Sequence, residues 1–366
     1  MQIAAMQQRR ADHVAKRNAN MGLFDPDRSA SRLPVSLISG FLGSGKTTLL
    51  NQLLRCPGMG DSAVIINEFG EVGIDHLLVQ AIDGEVAVLA SGCVCCTLRS
   101  DLEQTLRDLL ARRDRGEVPA FARILVETTG LADPAPIVQL LLNNPLVSHF
   151  VRLDTVVTTV DAVNGSLQLD EHAEAVKQVA LADRLLLTKC DLAAPGAVEE
   201  LRRRLAALNP GAALRSVLNG QVAPEALFGA ALFDPLRKSP DVRRWINEGA
   251  YASHRHDHTH HDHGTDIRAY CLVRDEPIDW DALHSWLGRL RQGIGPDLLR
   301  VKGILNLAGE SAPVAIQGVH HVFHPPVVLE AWPDDDRRTR IVFITRGIEH
   351  TDLEASFRDH VDAARV

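Results

Sequence analysis

VSLISGFLGSGKTTLL, residues 35–50, is an apolar run that breaks into glycines and resumes as a helix-forming segment. VSLIS (35–39) has the aliphatic content of a buried strand, and the leucines after Lys46 fit a helix. Between them, Gly40-Phe41-Leu42-Gly43-Ser44-Gly45-Lys46-Thr47-Thr48 matches G-x-x-x-x-G-K-[ST]. Glycines at these positions let backbone N–H groups turn inward around an anion. The helix that follows directs its positive end at the same point. Lys46 then reaches β- and γ-phosphates, and the Thr47 hydroxyl is placed to ligate Mg²⁺. With a strand before it and a helix after it, this is a phosphate-binding loop on an α/β sheet.

The same alternation continues outward. Apolar runs AVII (63–66), EVAVL (85–89), RILVE (123–127), DTVVTTVD (154–161) and RLLLTK (184–189) are separated by helix-length segments at 46–55, 98–112, 134–142 and 173–183. Continuous apolar strands joined by crossover helices predict a parallel sheet with helices on both faces, here a P-loop domain over 34–240. Residues 1–33 are polar and aperiodic. Arg9 and Arg10 are not followed by an apolar stretch, so the segment reads as a disordered leader rather than an export signal, and Met21 is an alternative start. Residues 241–265 contain HRHDHTHHDHG and read as a histidine-rich linker. All four Trp and both Tyr fall beyond residue 240. There, apolar runs around 267–273, 298–307, 313–319, 326–331 and 340–346, with helices at 279–291 and from 351, predict a smaller α+β domain over 266–366. Asp334-Asp335-Asp336 reads as a solvated turn, and Cys56, Cys190 and Cys271 as packing residues.

Composition excludes some classes. The chain has 366 residues, with 39 Lys+Arg against 47 Asp+Glu, a net charge of −8 that argues against nucleic-acid binding through bulk charge. No apolar stretch approaches the roughly 18–20 residues of a membrane helix. Six cysteines in such a length do not make a disulfide scaffold, which places the protein in a reducing compartment, the cytoplasm.

Further motifs carry chemistry. RILVE ends at Glu127, before Thr128-Thr129-Gly130. A carboxylate at a strand tip beside the phosphate loop suits Mg²⁺, directly or through water, and the Gly130 amide suits the γ-phosphate. RLLLTK ends in Thr188-Lys189-Cys190-Asp191. The Asp191 carboxylate can accept from the guanine N1–H and N2–H₂ edge while the Lys189 stem lies over the base, which favours GTP over ATP. Gly92-Cys93-Val94-Cys95-Cys96 follows the EVAVL strand. Three thiols in four residues suit a tetrahedral Zn²⁺ site, with redox chemistry or simple packing as alternatives. Glu68, in the loop after the second strand, is the nearest candidate for a fourth ligand. His254, His256, His258, His260, His261 and His263 read as low-affinity collection of Zn²⁺, Co²⁺ or Ni²⁺, with a plain linker as the alternative.

Taken together, GFLGSGKTT, NEFGEVGID (67–75), GCVCC, VETTG, TKCD, the histidine tract, RVKG (300–303) and QGVHH (317–321) resemble the CobW family of P-loop GTPases, relatives of the nickel-insertion GTPases of urease and hydrogenase. The match is collinear from about residue 34 to the end. It implies a GTP-hydrolysing metallochaperone with a CobW-type C-terminal domain that passes metal to a client metalloprotein, with nucleotide-dependent self-association as an option. Two departures stand out: Thr188 replaces the commoner Asn of the guanine motif, and the leader has no counterpart. A GTP-stabilised metal buffer and a P-loop small-molecule kinase are the rival readings, and TKCD and the thiols speak against the kinase.

Overall fold

A computed structural model describes residues 32–67, 88–90, 98–229, 251, 266–329 and 331–365. The expected leader up to residue 31, and nearly all of the segment joining the two domains, lie outside them. Strand β1 (Leu33–Gly40) leads into α1 (Lys46–Leu54), β2 (Ser62–Asn67) and β3 (Val88–Ala90). Then come α2 (Leu98–Asp114), β4 (Arg123–Thr128), α3 (Ala135–Asn143), α4 (Pro145–Ser148) and β5 (Val151–Asp161). Helices α5 (Gly165–Glu171) and α6 (Ala173–Leu181), β6 (Arg184–Thr188), α7 (Pro195–Leu208) and β7 (Ala213–Ser216) complete the first domain. Among the described residues its sheet has seven strands in the order β3-β2-β4-β1-β5-β6-β7, and every pairing between them is parallel.

The strand sequences explain the layers. Successive side chains on a strand face opposite ways, so Ile124 and Val126 of β4 join one core cluster while Leu125 joins another. In β2, Ala63 and Ile65 divide from Val64 and Ile66 in the same way. Helices α2 and α3 cover the first face with Leu102, Leu106, Ile137 and Val138. Helix α1 covers the second with Leu49, Leu50 and Leu53. Both faces are buried, so the strands carry no polar alternation.

The second domain begins at β8 (Ile267–Arg274) and continues through α8 (Trp280–Ile294), β9 (Leu298–Leu305), β10 (Val314–Val319), β11 (Val322–Phe323), β12 (Val327–Val328), β13 (Thr339–Arg346) and α9 (His350–Phe357). Its antiparallel sheet runs β11-β10-β9-β13-β8, with β12 paired to β10. Asp279 caps α8 by accepting the Ala282 N–H at 2.8 Å. Trp286 of α8 and Phe357 of α9 pack on Phe343 and Val301 of the sheet. The aspartate turn is ion-paired rather than simply solvated. Asp334 and Asp336 accept hydrogen bonds from Arg340 and Arg338, and the buried Arg340 is what draws them in.

The domains meet along α6 and α3. From the second domain, Val319 packs into the α3 cluster, and its carbonyl accepts a 3.3 Å bond from Gln139 Nε2. Asn143 Nδ2 donates to Phe323 O at 2.9 Å. At the other contact, Asp183 Oδ1 receives Arg300 Nη2 at 2.8 Å and Lys302 Nζ at 2.5 Å, both from β9, while Oδ2 accepts the Val156 N–H at 2.9 Å. Burial alone would raise the Asp183 carboxyl, but the charges of Arg300 and Lys302 outweigh it and bring it down to about 2. A carboxylate depressed on folding stabilises above its unfolded value near 4, and that contribution disappears as pH falls from 4 to 2. Asp183→Asn leaves two buried cations without their carboxylate and costs about 3–5 kcal/mol. Urea unfolding at pH 7 should show that loss, and acid titration of the variant should lack the component between pH 4 and 2. A variant as stable as the wild type would show the seam to be indifferent to this charge.

Candidate functional site

At the carboxyl edge of the parallel sheet, β1 ends in the glycine loop. Gly40 has φ 139°, and a Cβ there would lie 2.4 Å from Thr159 O, so only glycine fits. Ser44 Oγ and Thr159 Oγ1 are 2.7 Å apart behind the loop and tie it to β5. Gly45, at φ 96°, makes the turn into α1, whose N-terminus carries no side-chain cap. A helix N-terminus of this kind presents N–H groups that suit an anion. Lys46 is only 8 % exposed, and its Nζ donates to Gly40 O at 2.9 Å and Phe41 O at 3.1 Å, which folds its charge over the loop.

Gly43, Gly45, Lys46, Thr47, Thr48, Glu127 and Gly130 line one cleft of about 280 Å³, together with Leu42, Ile66, Thr128 and Thr129. Thr47 Oγ1 donates to Glu127 Oε1 at 2.6 Å. A hydroxyl and a buried carboxylate converging beside a phosphate loop form the oxygen donor set that Mg²⁺ favours, and these two residues fit that ion. Gly130 is buried against Leu42, and a Cβ would meet the Leu42 backbone N at 2.6 Å. The chain passes that point only as glycine.

The base motif leaves β6 next to this cleft. Thr188 Oγ1 donates to Ser44 O at 2.8 Å, bridging the end of β6 to the phosphate loop. That contact gives the threonine a task an asparagine side chain would perform differently. Lys189 adopts φ 56°, and its Nζ pairs with Asp161 Oδ2 at 2.8 Å. Burial alone would raise Asp161, but bonds from Lys189, Asn164 and the Val163 N–H hold its carboxyl below the usual carboxylate range. Asp191 is exposed at the rim. A further part of this rim went unread in the sequence. After β7, Asn219 (φ 50°) and Gly220 (φ 73°) turn the chain onto α1, where a Cβ on Gly220 would lie 2.9 Å from Thr48 O. The Asn-Gly pair after a strand is the signal that marks this turn.

Glu68, Cys93, Cys95, Cys96 and the six tract histidines lie outside the described residues. The strands that lead to them are described: β2 ends at Asn67 and β3 at Ala90, paired in parallel with Ile66 opposite Ala90. Among the described residues, no three His, Cys, Asp or Glu side chains gather as a metal site, and no helix is long and apolar enough to cross a membrane.

Comparison with known proteins agrees with this arrangement. Residues 34–215 match the model of the CobW/HypB/UreG nucleotide-binding domain, and residues 267–361 match that of the cobalamin synthesis protein cobW C-terminal domain. The chain is 33 % identical to the zinc chaperone YjiA of Escherichia coli, over 89 % of this chain and 98 % of that one. It is 30 % identical to the zinc chaperone CobW of Pseudomonas aeruginosa, over 95 % and 96 %. The crystal structure of Zn(II)-bound YjiA GTPase from E. coli superposes with a TM-score of 0.69 at 30 % identity, covering 90 % of this chain and 99 % of that one. With the phosphate loop, the Glu127 strand tip and the antiparallel second domain all in place, the chain belongs to the CobW/HypB/UreG family, in the form that carries a CobW C-terminal domain.

Proposed function

We propose that the protein is a GTPase that holds Zn²⁺ on its cysteine motif and releases it to a client metalloprotein, with the nucleotide state setting how tightly the metal is held. The observation that carries this reading is the strand order β3-β2-β4-β1. These four neighbouring parallel strands end at Ala90, Asn67, Thr128 and Gly40 on one sheet edge, and in sequence they are followed by the cysteine motif, Glu68, Thr129-Gly130 and the phosphate loop. At about 4.8 Å per strand spacing, the outermost of the four lie about 14 Å apart. Ligands of open α/β sheets bind at this edge.

Each residue then has a role. Gly40, Gly43, Ser44 and Gly45 shape the loop whose N–H groups take the β-phosphate, and Thr48 continues the helix turn behind them. Lys46 swings from the Gly40 and Phe41 carbonyls onto the β- and γ-phosphate oxygens. Thr47 and Glu127 would hold Mg²⁺, which neutralises developing phosphate charge when bound. Gly130 offers its N–H to the γ-phosphate. Asp191 accepts from the guanine edge, while Lys189 covers the base and Thr188 fixes the motif against the loop. Cys93, Cys95 and Cys96, with Glu68, hold the transferred zinc. The histidine tract collects further ions weakly, and Co²⁺ and Ni²⁺ suit the same donors.

Among the described residues no arginine lines the cleft. Phosphoryl transfer without such a charge is slow, so turnover should fall well below about 10 s⁻¹. GTP should be hydrolysed in strong preference to ATP, and Asp191→Asn should move the preference toward xanthosine triphosphate, whose base presents an acceptor where guanine has a donor. Steady-state phosphate release with the three nucleotides measures both. Equal turnover of ATP and GTP by the wild type would remove the guanine assignment.

A further inference from the structure

Gln178 sits on α6, outside every motif considered so far, and is 1 % exposed. Its Nε2 donates to Gly130 O and to Ala132 O, each at 3.0 Å. Both amide protons are thereby spent on one short turn. The Oε1 atom is buried and has no hydrogen-bond partner among the described residues. Turning the amide over would set that oxygen against two carbonyls, so the orientation is fixed by its surroundings. Leaving a buried carbonyl oxygen unmatched is unfavourable, and here the two donated bonds hold it in place. The neighbouring Lys177 Nζ pairs with Asp133 Oδ2 at 2.8 Å. The same Asp133 caps the start of α3 by accepting the Ala135 N–H at 2.9 Å through Oδ1. Adjacent residues of α6 thus grip the two ends of the 130–133 turn.

That turn needs an outside grip. Close approach to Leu42 requires glycine at position 130, and glycine is the residue whose backbone is least restrained by its own side chain. A γ-phosphate donor built on glycine has the room it needs but not the rigidity. We propose that Gln178 supplies that rigidity: it is a positioning residue that holds the Gly130–Ala132 turn ready for the terminal phosphate of a nucleoside triphosphate. The inference rests on the nucleotide reading of the cleft and adds to it the residue that makes the cleft discriminate triphosphate from diphosphate. Gln178 touches no nucleotide and acts through the Gly130 peptide.

A merely structural glutamine and a positioning one differ in which ligand suffers. Gln178→Met keeps the shape of the side chain and removes both donors along with the unmatched oxygen. In the full-length protein, GDP affinity should stay within about 2-fold, because the diphosphate does not reach the turn. Affinity for a non-hydrolysable GTP analogue, and kcat with GTP, should fall about 5–30-fold, as expected for two lost neutral hydrogen bonds. Lys177→Met removes the second grip at a partly exposed side chain. It should shift the triphosphate-to-diphosphate affinity ratio in the same direction by about 2–3-fold, the scale of a partly exposed ion pair, even if Gln178→Met fails to fold. The inference is overturned if both nucleotides weaken together in the variants, or if the ratio is unchanged in them. A wild-type protein that binds neither nucleotide would overturn the reading of the cleft as well.

Discussion

Lys46→Ala should abolish useful nucleotide binding, with GTP affinity falling about 10²–10³-fold and hydrolysis lost. In the protein the ammonium is nearly buried and already aimed at the loop by two carbonyls, Gly40 O and Phe41 O. A triphosphate entering the cleft would replace those carbonyls with charged oxygens, and charge-assisted bonds of this kind are roughly twice as strong as neutral ones. Removing one partner of such a buried pair costs about 2–5 kcal/mol, much of it from the charge left unmatched. The fold should survive, because alanine is the best helix former at the start of α1 and the leucines that anchor that helix lie on its other turns. Lys46→Arg is not a rescue: the guanidinium is a planar fork where the loop encloses a point charge. Calorimetric titration with GTP and GDP, alongside a melting curve of the free variant, separates lost binding from lost structure. A folded variant that binds GTP within about 3-fold of the wild type would contradict the role given to this residue.

How far the sequence alone carries can be judged residue by residue. Strand runs such as RILVE were legible because burial on both faces leaves no polar alternation, and the structure places Ile124 and Leu125 in opposite layers as that requires. The glycine loop was legible because backbone geometry dictates its residue types: Gly40 is fixed by 2.4 Å of room. What stayed hidden are contacts between residues far apart in the chain that are fixed by packing alone. Gln178 reads as a polar interruption in an apolar helix, and nothing local says that its amide reaches a turn 48 positions earlier. Asp183 and Arg300 are 117 positions apart. RVKG could be quoted as a motif without its reason, which is that Arg300 and Lys302 reach the carboxylate of the other domain. The Thr188 hydroxyl on Ser44 O likewise turns an apparent departure from the guanine motif into a tie between base and phosphate sites.

Zinc affinity should depend on the nucleotide. In sequence, Glu68 comes directly after Asn67, the last residue of β2, and Cys93 comes three positions after Ala90, the last residue of the neighbouring β3. Strand β4, on the other side of β2, ends in the Glu127–Gly130 segment that lines the phosphate cleft. On the function proposed above, the metal and the γ-phosphate both bias the 67–75 segment, so their binding is coupled. By linkage, whatever factor Mg·GTP contributes to metal binding, the metal must return to Mg·GTP. Coupling of about 1–3 kcal/mol, or 5–150-fold, is ordinary for two-site switches.

The most direct measurement is a zinc competition titration on the full-length protein, once with Mg·GDP and once with Mg²⁺ and a non-hydrolysable GTP analogue, repeated on Cys95→Ser/Cys96→Ser. The account predicts one tight site whose zinc affinity differs between the two nucleotides by about 5–150-fold and which is lost in the double variant. Equal zinc affinity in the two nucleotide states would contradict it and would make the protein a nucleotide-stabilised metal buffer instead of a switched chaperone.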